Sequence, residues 1–164
     1  MMIDRCAIPD YFYQVPSSSS GKYHPEDELE PGGLVLHTIK CVRTAETMAR
    51  MYQLTEDELE LAKTALLLHD ICKNGLMRDS GHTEFAHPLF ASENLLVEMA
   101  KEKHNKYFNK DVRKVAKLIR SHTGQWNTDE HQPDIILPLP ETKLEKFVHE
   151  CDYIASRKEF VIKI

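Results

Sequence analysis

Residues 65–74, ALLLHDICKN, place a histidine and an aspartate directly behind an apolar run. If the run is helical, neighbouring side chains point about 100° apart, so His69 and Asp70 face different surroundings. A carboxylate in a protein core is very costly unless it is paired with a cation or bound to a metal ion. The stretch therefore predicts a core helix whose C-terminal end carries polar groups that share a partner.

Apolar residues at helical spacing predict further helices on both sides of this stretch. Thr55 with Glu58, and Thr142 with Glu145, have the form of capping boxes and open two of these helices. The predicted helices cover, approximately, residues 34–52, 55–71, 88–103, 111–122 and 142–154. Because no series of strands is evident between them, the chain is predicted to be an all-α domain of five or more helices.

The composition is that of one soluble globular domain. Of its 164 residues, 41% are apolar and 29% are charged, and the net charge is -5. This charge excludes a protein that mainly coats nucleic acid, so binding to long duplexes is not expected. No apolar stretch approaches the roughly 20 residues of a membrane span, and the N-terminus shows no signal-peptide core. We expect a cytoplasmic protein with no membrane partner, and the oligomeric state is left open.

The four cysteines are Cys6, Cys41, Cys72 and Cys151, and none forms a CxxC pair with another. Their wide scatter indicates neither a zinc knuckle nor a disulfide framework. They are expected to be reduced thiols in a cytoplasmic protein.

The N-terminal residues 1–33 contain four prolines, a run of serines and a terminal glycine pair. This composition predicts an extended arm, followed by the helical domain over residues 34–164. Two alternatives stay open for the arm, which either lacks fixed structure or forms a lid over a site. The segment SSSSGK at residues 17–22 lacks the leading glycine and the preceding strand of a P-loop, so a P-loop is rejected.

Six histidines and aspartates lie within, or at the ends of, the predicted apolar helices. Several buried polar groups in one core need a shared partner, and a divalent metal ion is one that neutral imidazole and carboxylate both suit. A structural zinc site would instead use cysteine and closer ligand spacing. The six residues are His37, His69, Asp70, His87, His122 and Asp152.

With these residues the chain resembles the HD-domain metal-dependent phosphohydrolases. That family has a histidine, then an adjacent His-Asp pair, and finally an aspartate on a late helix. The matching segments here read GGLVLHT, LLLHDICK and HECDYIASR. The resemblance implies a helical bundle in which a first metal ion is bound by His37, His69, Asp70 and Asp152.

Two further segments resemble the insertions by which many members complete a second metal site. These segments are AHPLFASE and IRSHTG, and they imply that His87 and His122 bind the second ion while Asp70 bridges both. The ions would be manganese, iron, nickel, cobalt or zinc. The run from PSSSSGKYHP to GGLVLHT is most similar to the HD domain of 3'-5' exoribonucleases, and the dinuclear pattern is similar to that of HD-type dinucleoside tetraphosphate hydrolases. The resemblance covers about residues 20–157.

The function that the resemblance implies is hydrolysis of a phosphoester in a nucleotide or short oligonucleotide by a metal-activated water. Asp70 and Lys73 are the expected catalytic residues. Lys73 lies four residues after His69, on the same helical face, where its charge would stabilise a phosphate oxygen. Arg157 and Lys22 are further candidates for binding the substrate.

Several alternatives accompany this hypothesis. Some HD-fold proteins are di-iron oxygenases, and a non-catalytic nucleotide-binding regulatory domain would keep the same ligands. His87 could instead be only a helix cap, and His122 could be only a histidine at a helix C-terminus, where the helix dipole favours it. If both were so, the site would hold a single metal ion. Trp126 either stacks on a base or packs against the fifth helix. The other five histidines are expected at the surface or behind the ligands, with His82 nearest to the site; they are His24, His82, His104, His131 and His149.

Overall fold

The structure is a computed structural model that describes residues 7–101, 106–160 and 162. In these ranges the chain forms five α-helices and no strand, apart from one isolated antiparallel bridge between Thr128 and Ile136. The all-α prediction is therefore confirmed. The helices are α1 (Gly33–Met48), α2 (Glu56–Leu68), α3 (His87–Ala100), α4 (Lys106–Arg120) and α5 (Lys143–Ala155).

The helix starts follow the local signals in the sequence, with one exception. Capping boxes at Thr55 and Thr142 precede α2 and α5 as predicted, and each hydroxyl accepts from the backbone N–H three residues later. The predicted start of α4 at Asp111 is wrong, because α4 already begins at Lys106. The residues before Asp111 include no glycine or proline, so nothing in them stops the helix from extending.

Two helices end earlier than the apolar pattern indicated. α1 ends at Met48 rather than near Tyr52, and α2 ends at Leu68 rather than Ile71. Beyond Leu68 the backbone continues in tight turns, with Ile71 N–H donating to the Leu68 carbonyl and Lys73 N–H to the Asp70 carbonyl. These hydrogen bonds join residues three apart, whereas those of an α-helix join residues four apart. The backbone therefore leaves the α-helical path at the His-Asp pair. The predicted end of α3 near Lys103 lies outside the described residues.

The core lies around α2. This helix contacts α1, α4 and α5, while α3 packs mainly on α4. The largest buried side chains come from several helices and from one loop. They include Leu34, Leu66, Leu68, Leu95, Ile119, Leu137 and Phe147. Because α2 is covered by three other helices, its C-terminal end is enclosed by the bundle.

Over residues 7–32, the described part of the segment before α1, the chain forms no α-helix, but it is folded onto the bundle rather than extended away from it. It holds two short 3-10 turns, Asp10–Tyr13 and Glu26–Glu28, and Tyr11 and Phe12 bury their rings in the core. At Gly33 a side-chain carbon would lie 1.9 Å from the Glu28 carbonyl oxygen, so only glycine permits this close approach. Burial of the aromatic rings is the physical reason that the predicted arm is packed.

Three of the cysteines fall within the described residues, and all three are buried. Cys41 and Cys151 are thiols outside any disulfide, as predicted, whereas Cys6 lies outside the described residues. Among the described helices, none combines the length and the apolar character that crossing a membrane requires.

The capping carboxylate of α5 predicts a pH-dependent contribution to stability. Glu145 is buried and accepts from the Glu141 and Thr142 backbone N–H groups at 2.8 Å, and its other oxygen lies 2.9 Å from Lys117 Nζ. Burial raises the pKa of Glu145, but the Thr142 N–H and the Lys117 ammonium outweigh burial and lower the pKa below its ordinary 4.5. Ionised Glu145 therefore stabilises the native state fully at pH values above its ordinary pKa of 4.5. This contribution to the free energy of unfolding is lost as the pH falls through the lower pKa of the native state.

We expect Glu145→Gln to reduce the free energy of unfolding by about 1–2 kcal/mol at neutral pH, because a charged hydrogen bond is lost. The difference from the unsubstituted protein should shrink as the pH falls from about 7 to about 3, measured by urea unfolding. Glu141→Gln, at an exposed neighbouring carboxylate, is the control and should show no such narrowing. A difference that stays constant with pH would contradict the prediction.

Candidate metal centre

The structure brings the six predicted ligand residues together at one end of the bundle. α1 supplies His37, the turn after α2 supplies the His-Asp pair, and α3 supplies its first residue, His87. His122 follows the end of α4, and Asp152 lies on α5. All are buried except Asp152, whose side chain is 20% exposed. The centre is thus enclosed on most sides and open on the side of Asp152.

A first group of ligand atoms surrounds Asp152. Its Oδ1 lies 3.0 Å from His37 Nε2 and 3.6 Å from His69 Nε2. Asp70 Oδ2 lies 3.4 Å from His69 Nε2 and 4.0 Å from His37 Nε2. The buried thiol of Cys41 joins this group, since its ligand atom lies within 4.8 Å of those of the two histidines and Asp152. Burial raises the pKa of the Cys41 thiol to about 11.

A second group lies on the other side of the Asp70 carboxylate. Asp70 Oδ1 is 3.1 Å from His87 Nε2 and 3.7 Å from His122 Nε2, and the two imidazole nitrogens are 3.2 Å apart. The two oxygens of Asp70 therefore face different groups, Oδ2 toward His37 and His69 and Oδ1 toward His87 and His122. A carboxylate that bridges two ions has this arrangement.

Backbone carbonyls fix the orientation of three of the imidazole rings. In each case Nδ1 lies close to the carbonyl oxygen of the residue three positions earlier, which can only accept a hydrogen bond. The distances are 2.6 Å from His69 to Leu66, 2.6 Å from His87 to Glu84, and 2.7 Å from His122 to Ile119. Each Nδ1 therefore carries a hydrogen, and in the neutral ring Nε2 presents a lone pair to Asp70 and its neighbours.

This assignment leaves several buried acceptors facing one another. His69 Nε2 and Asp70 Oδ1 are buried and make no hydrogen bond to any described residue. The Nε2 atoms of His87 and His122 lie 3.2 Å apart, and both face Asp70 Oδ1, so one divalent ion would accept lone pairs from both rings. Burial and the neighbouring imidazoles of His69 and His87 lower the pKa of His122 to about 3, so its ring stays neutral. The donor set therefore fits divalent metal ions.

The two aspartates are held in their ionised form. Burial acts to raise the pKa of Asp70, but positive charge beside it, from the His69 imidazole when protonated and from the Lys73 ammonium, outweighs burial and holds the pKa well below its ordinary value. Asp152 behaves in the same way, with burial opposed by its contacts with His37 and His69. Both carboxylates are thus available as anionic ligands at neutral pH.

The family model of the HD domain matches residues 34–157. The chain belongs to the HD domain family. The match spans all six predicted ligand residues, and proteins with this domain bind divalent metals and are generally metal-dependent phosphohydrolases. No curated protein and no solved structure gives a significant match to the chain. The similarity to the exoribonuclease-type HD domain stays a prediction.

A pocket of about 250 Å³ opens from the candidate metal centre of this HD domain to the surface. Lys73 lines it and donates to Asp70 Oδ2 at 2.6 Å, and Arg157 lines its outer part. Lys22 is not among the lining residues; its ammonium lies 5.0 Å from the centre of the Tyr23 ring. The lining residues are Tyr23, His24, Asp70, Lys73, Thr83, His87, His122, Thr123, Trp126, Asp152, Tyr153, Ser156 and Arg157.

Among the remaining histidines, the one that reaches the pocket is His24 and not His82. His82 was expected nearest to the site, but its side chain is 63% exposed and lies 3.5 Å from Glu84. His24 instead lines the pocket, because the packed N-terminal segment carries it there. His149 Nδ1 donates to the His122 carbonyl at 2.8 Å, so it supports a ligand from behind. His131 is exposed, and His104 lies outside the described residues.

Sequence reasoning missed the buried carboxylate of Glu28, which lies behind His37. Its Oε2 is 3.3 Å from His37 Nδ1, 2.8 Å from His24 Nδ1 and 3.1 Å from Ser17 Oγ. Its Oε1 lies 3.0 Å from Lys40 Nζ. A carboxylate against the outer nitrogen of a metal-binding histidine orients the ring and increases its basicity. Glu28 is one of four acidic residues in the run EDELE, and nothing in that run distinguishes it.

We expect Glu28→Gln to weaken the binding of a divalent ion by about 10–100-fold, because His37 loses its anionic support. The affinity for Mn²⁺ would be measured by competition with a chelating dye. The matched control is Asp27→Asn at the adjacent acidic residue, which binds Lys40 from the exposed side and makes no contact with His37. Equal Mn²⁺ affinity in Glu28→Gln and in the control would exclude this role for Glu28.

Proposed function

We propose that this HD domain is a dinuclear phosphohydrolase that cleaves a phosphoester of a nucleotide or short oligonucleotide. The division of the Asp70 carboxylate between two histidine groups is the observation that carries the proposal. The first ion would be held by His37, His69, Asp70 and Asp152, and the second by Asp70, His87 and His122. Divalent ions in such a centre stabilise charge on a phosphoryl group and activate water for its attack.

Lys73 is the cation nearest to the proposed centre. Burial lowers the pKa of its ammonium, but the charges of Asp70 and Asp152 outweigh burial and raise it. The side chain is therefore charged at neutral pH, and it lies both against Asp70 and in the pocket lining. From this position the ammonium can donate to a phosphoryl oxygen and stabilise the negative charge that develops during cleavage.

The geometry around the carboxylates supports direct attack by water rather than a covalent enzyme intermediate. Asp70 and Asp152 face the same imidazole nitrogens that would hold the ions, so their oxygens would serve as metal ligands rather than as nucleophiles. Arg157, in the outer pocket, is proposed to bind the substrate beyond the scissile phosphate. Lys22 is proposed to add positive charge beside Tyr23 at the outer edge, although it does not line the pocket.

The dimensions and charge of the chain support a small substrate. Pockets for ordinary small ligands measure roughly 300–1,000 Å³. The opening here is about 250 Å³ and leads to a buried centre, and the chain carries a net charge of -5. A long duplex has no extended basic surface to bind on such a chain. These features favour a nucleotide or the end of a short single strand.

The test is a screen for phosphate release or strand cleavage. Nucleoside mono- and polyphosphates, cyclic dinucleotides and short single strands would each be assayed with manganese, iron, nickel, cobalt and zinc. Turnover with manganese alone would support hydrolysis and exclude a di-iron oxygenase as the explanation. Metal-stabilised folding with nucleotide binding but no turnover on any substrate would overturn the proposal in favour of a regulatory domain.

We expect Asp70→Asn to lower kcat/KM by roughly a thousandfold or more on any substrate found, since the shared anionic ligand is lost. The matched control is Asp134→Asn at an exposed carboxylate that does not line the pocket, and it should keep full activity. Metal content per chain, measured on both variants, should fall only for Asp70→Asn. Full activity in a folded Asp70→Asn protein would remove the basis of the proposed mechanism.

A further inference from the structure

The mouth of the pocket is built from aromatic rings that the hydrolytic chemistry does not require. Tyr23 comes from the N-terminal segment, Trp126 from the loop after α4, and Tyr153 from α5. Their side chains are exposed to 49%, 48% and 37%, respectively. Large exposed aromatic side chains that cluster at one place mark a binding surface more often than scattered ones do.

These rings are arranged around one guanidinium group. Arg157 lies 4.1 Å from the ring centre of Tyr153, 4.9 Å from that of Tyr23 and 5.6 Å from that of Trp126. Trp126 and Tyr153 are stacked, with their centres 5.4 Å apart and their planes 18° apart. The Nε of Arg157 is buried and makes no hydrogen bond to any described residue. A planar cation and stacked rings form a surface for the flat face of another π-system.

The loop that carries Trp126 is held in place by its own contacts. Asn127 and Leu137 are joined by two hydrogen bonds, one from each residue to the backbone carbonyl of the other. Gly124 has a positive φ of 60°, and a side-chain carbon there would lie within 2.2 Å of the His149 ring. The loop is therefore pressed against α5, and Trp126 is positioned before any ligand arrives.

The aromatic mouth and the metal centre are two parts of one pocket. Its buried side, the inner wall, is polar and includes Asp70, His87 and His122. Its exposed side, the outer wall, includes Trp126 and Tyr153. A ligand that uses both parts needs an anionic phosphoryl group at one end and a flat π-system at the other. A nucleotide has both, whereas a sugar phosphate has only the first.

We infer that Trp126, Tyr153 and Tyr23 form a nucleobase-stacking subsite, with Arg157 as the planar cation among them. This inference rests on the proposed function, in that it places the phosphate of the same nucleotide at the metal centre. It adds that the substrate is recognised through its base. Stacking accepts the π-face of every base, so the subsite selects nucleotides over phosphoesters that lack a base.

Trp126 is the only tryptophan in the chain, so its fluorescence reports on this subsite alone. We expect adenosine 5'-monophosphate to quench it, while ribose 5-phosphate, which has the same sugar and phosphate but no base, leaves it nearly unchanged. The titrations are made with the divalent metal ion present, so that the phosphate keeps its binding site, and chromatography checks that each ligand remains intact during the titration. No quenching by the nucleotide, or equal quenching by both ligands, would overturn the inference.

The substitution Trp126→Leu should weaken adenosine 5'-monophosphate binding about tenfold, measured by calorimetry, because one stacking contact is lost. Trp126→Phe should keep most of the affinity. Tyr13→Leu is the control at an exposed aromatic residue that does not line the pocket, and it should bind like the unsubstituted protein. Unchanged affinity in a folded Trp126→Leu protein would contradict the subsite. If that variant does not fold, the fluorescence titration of the unsubstituted protein tests the subsite instead.

Kinetics distinguish failure of this inference from failure of the proposed function. Equal KM values for adenosine 5'-monophosphate and ribose 5-phosphate would overturn the base subsite and leave the phosphohydrolase standing. Base-dependent quenching in a protein that hydrolyses no phosphoester would support the subsite and overturn the proposed activity.

Discussion

The buried carboxylate of Asp70 is the constraint on which the rest of the structure depends. An ionised carboxylate in a protein core is tolerated only where cations or ligands compensate it, and here the bundle surrounds it with imidazole nitrogens and one ammonium. Each of the five helices contributes to or adjoins that enclosure. The packing of the helices therefore places the groups that compensate the charge of Asp70. The same compensation keeps the Asp70 pKa low and makes both of its oxygens available as ligands.

The residues that enclose Asp70 lie largely at the ends of helices. α2 stops at Leu68, so the backbone turns there, and the His-Asp pair lies in tight turns from which its side chains reach two histidine groups. His87 begins α3 and His122 follows α4, where carbonyls three residues earlier fix their rings. The packed N-terminal segment adds Glu28 behind His37. Backbone termini and one remote carboxylate thus orient ligands that side-chain packing alone would leave free to rotate.

The pocket has a polar inner wall and an aromatic outer wall. The inner wall carries candidate metal ligands of the HD domain, and in the proposed function it binds the phosphoryl group. The outer wall combines residues from three separate parts of this chain, among them Tyr23, Trp126 and Tyr153. The proposed hydrolytic chemistry and the proposed recognition of the base are therefore assigned to different residues of one pocket.

The sequence by itself determined the all-α class and the capped starts of α2 and α5. It also indicated six candidate ligand residues, because polar side chains at apolar helical positions stand out in the helical pattern. Only the tertiary structure decided which oxygen of Asp70 faces which histidines, that His24 rather than His82 reaches the pocket, and that Glu28 supports His37. It also assembled the aromatic mouth from distant segments. The physical reason is that these features depend on how loops and helix ends pack in space, and local periodicity carries no information about contacts between distant segments.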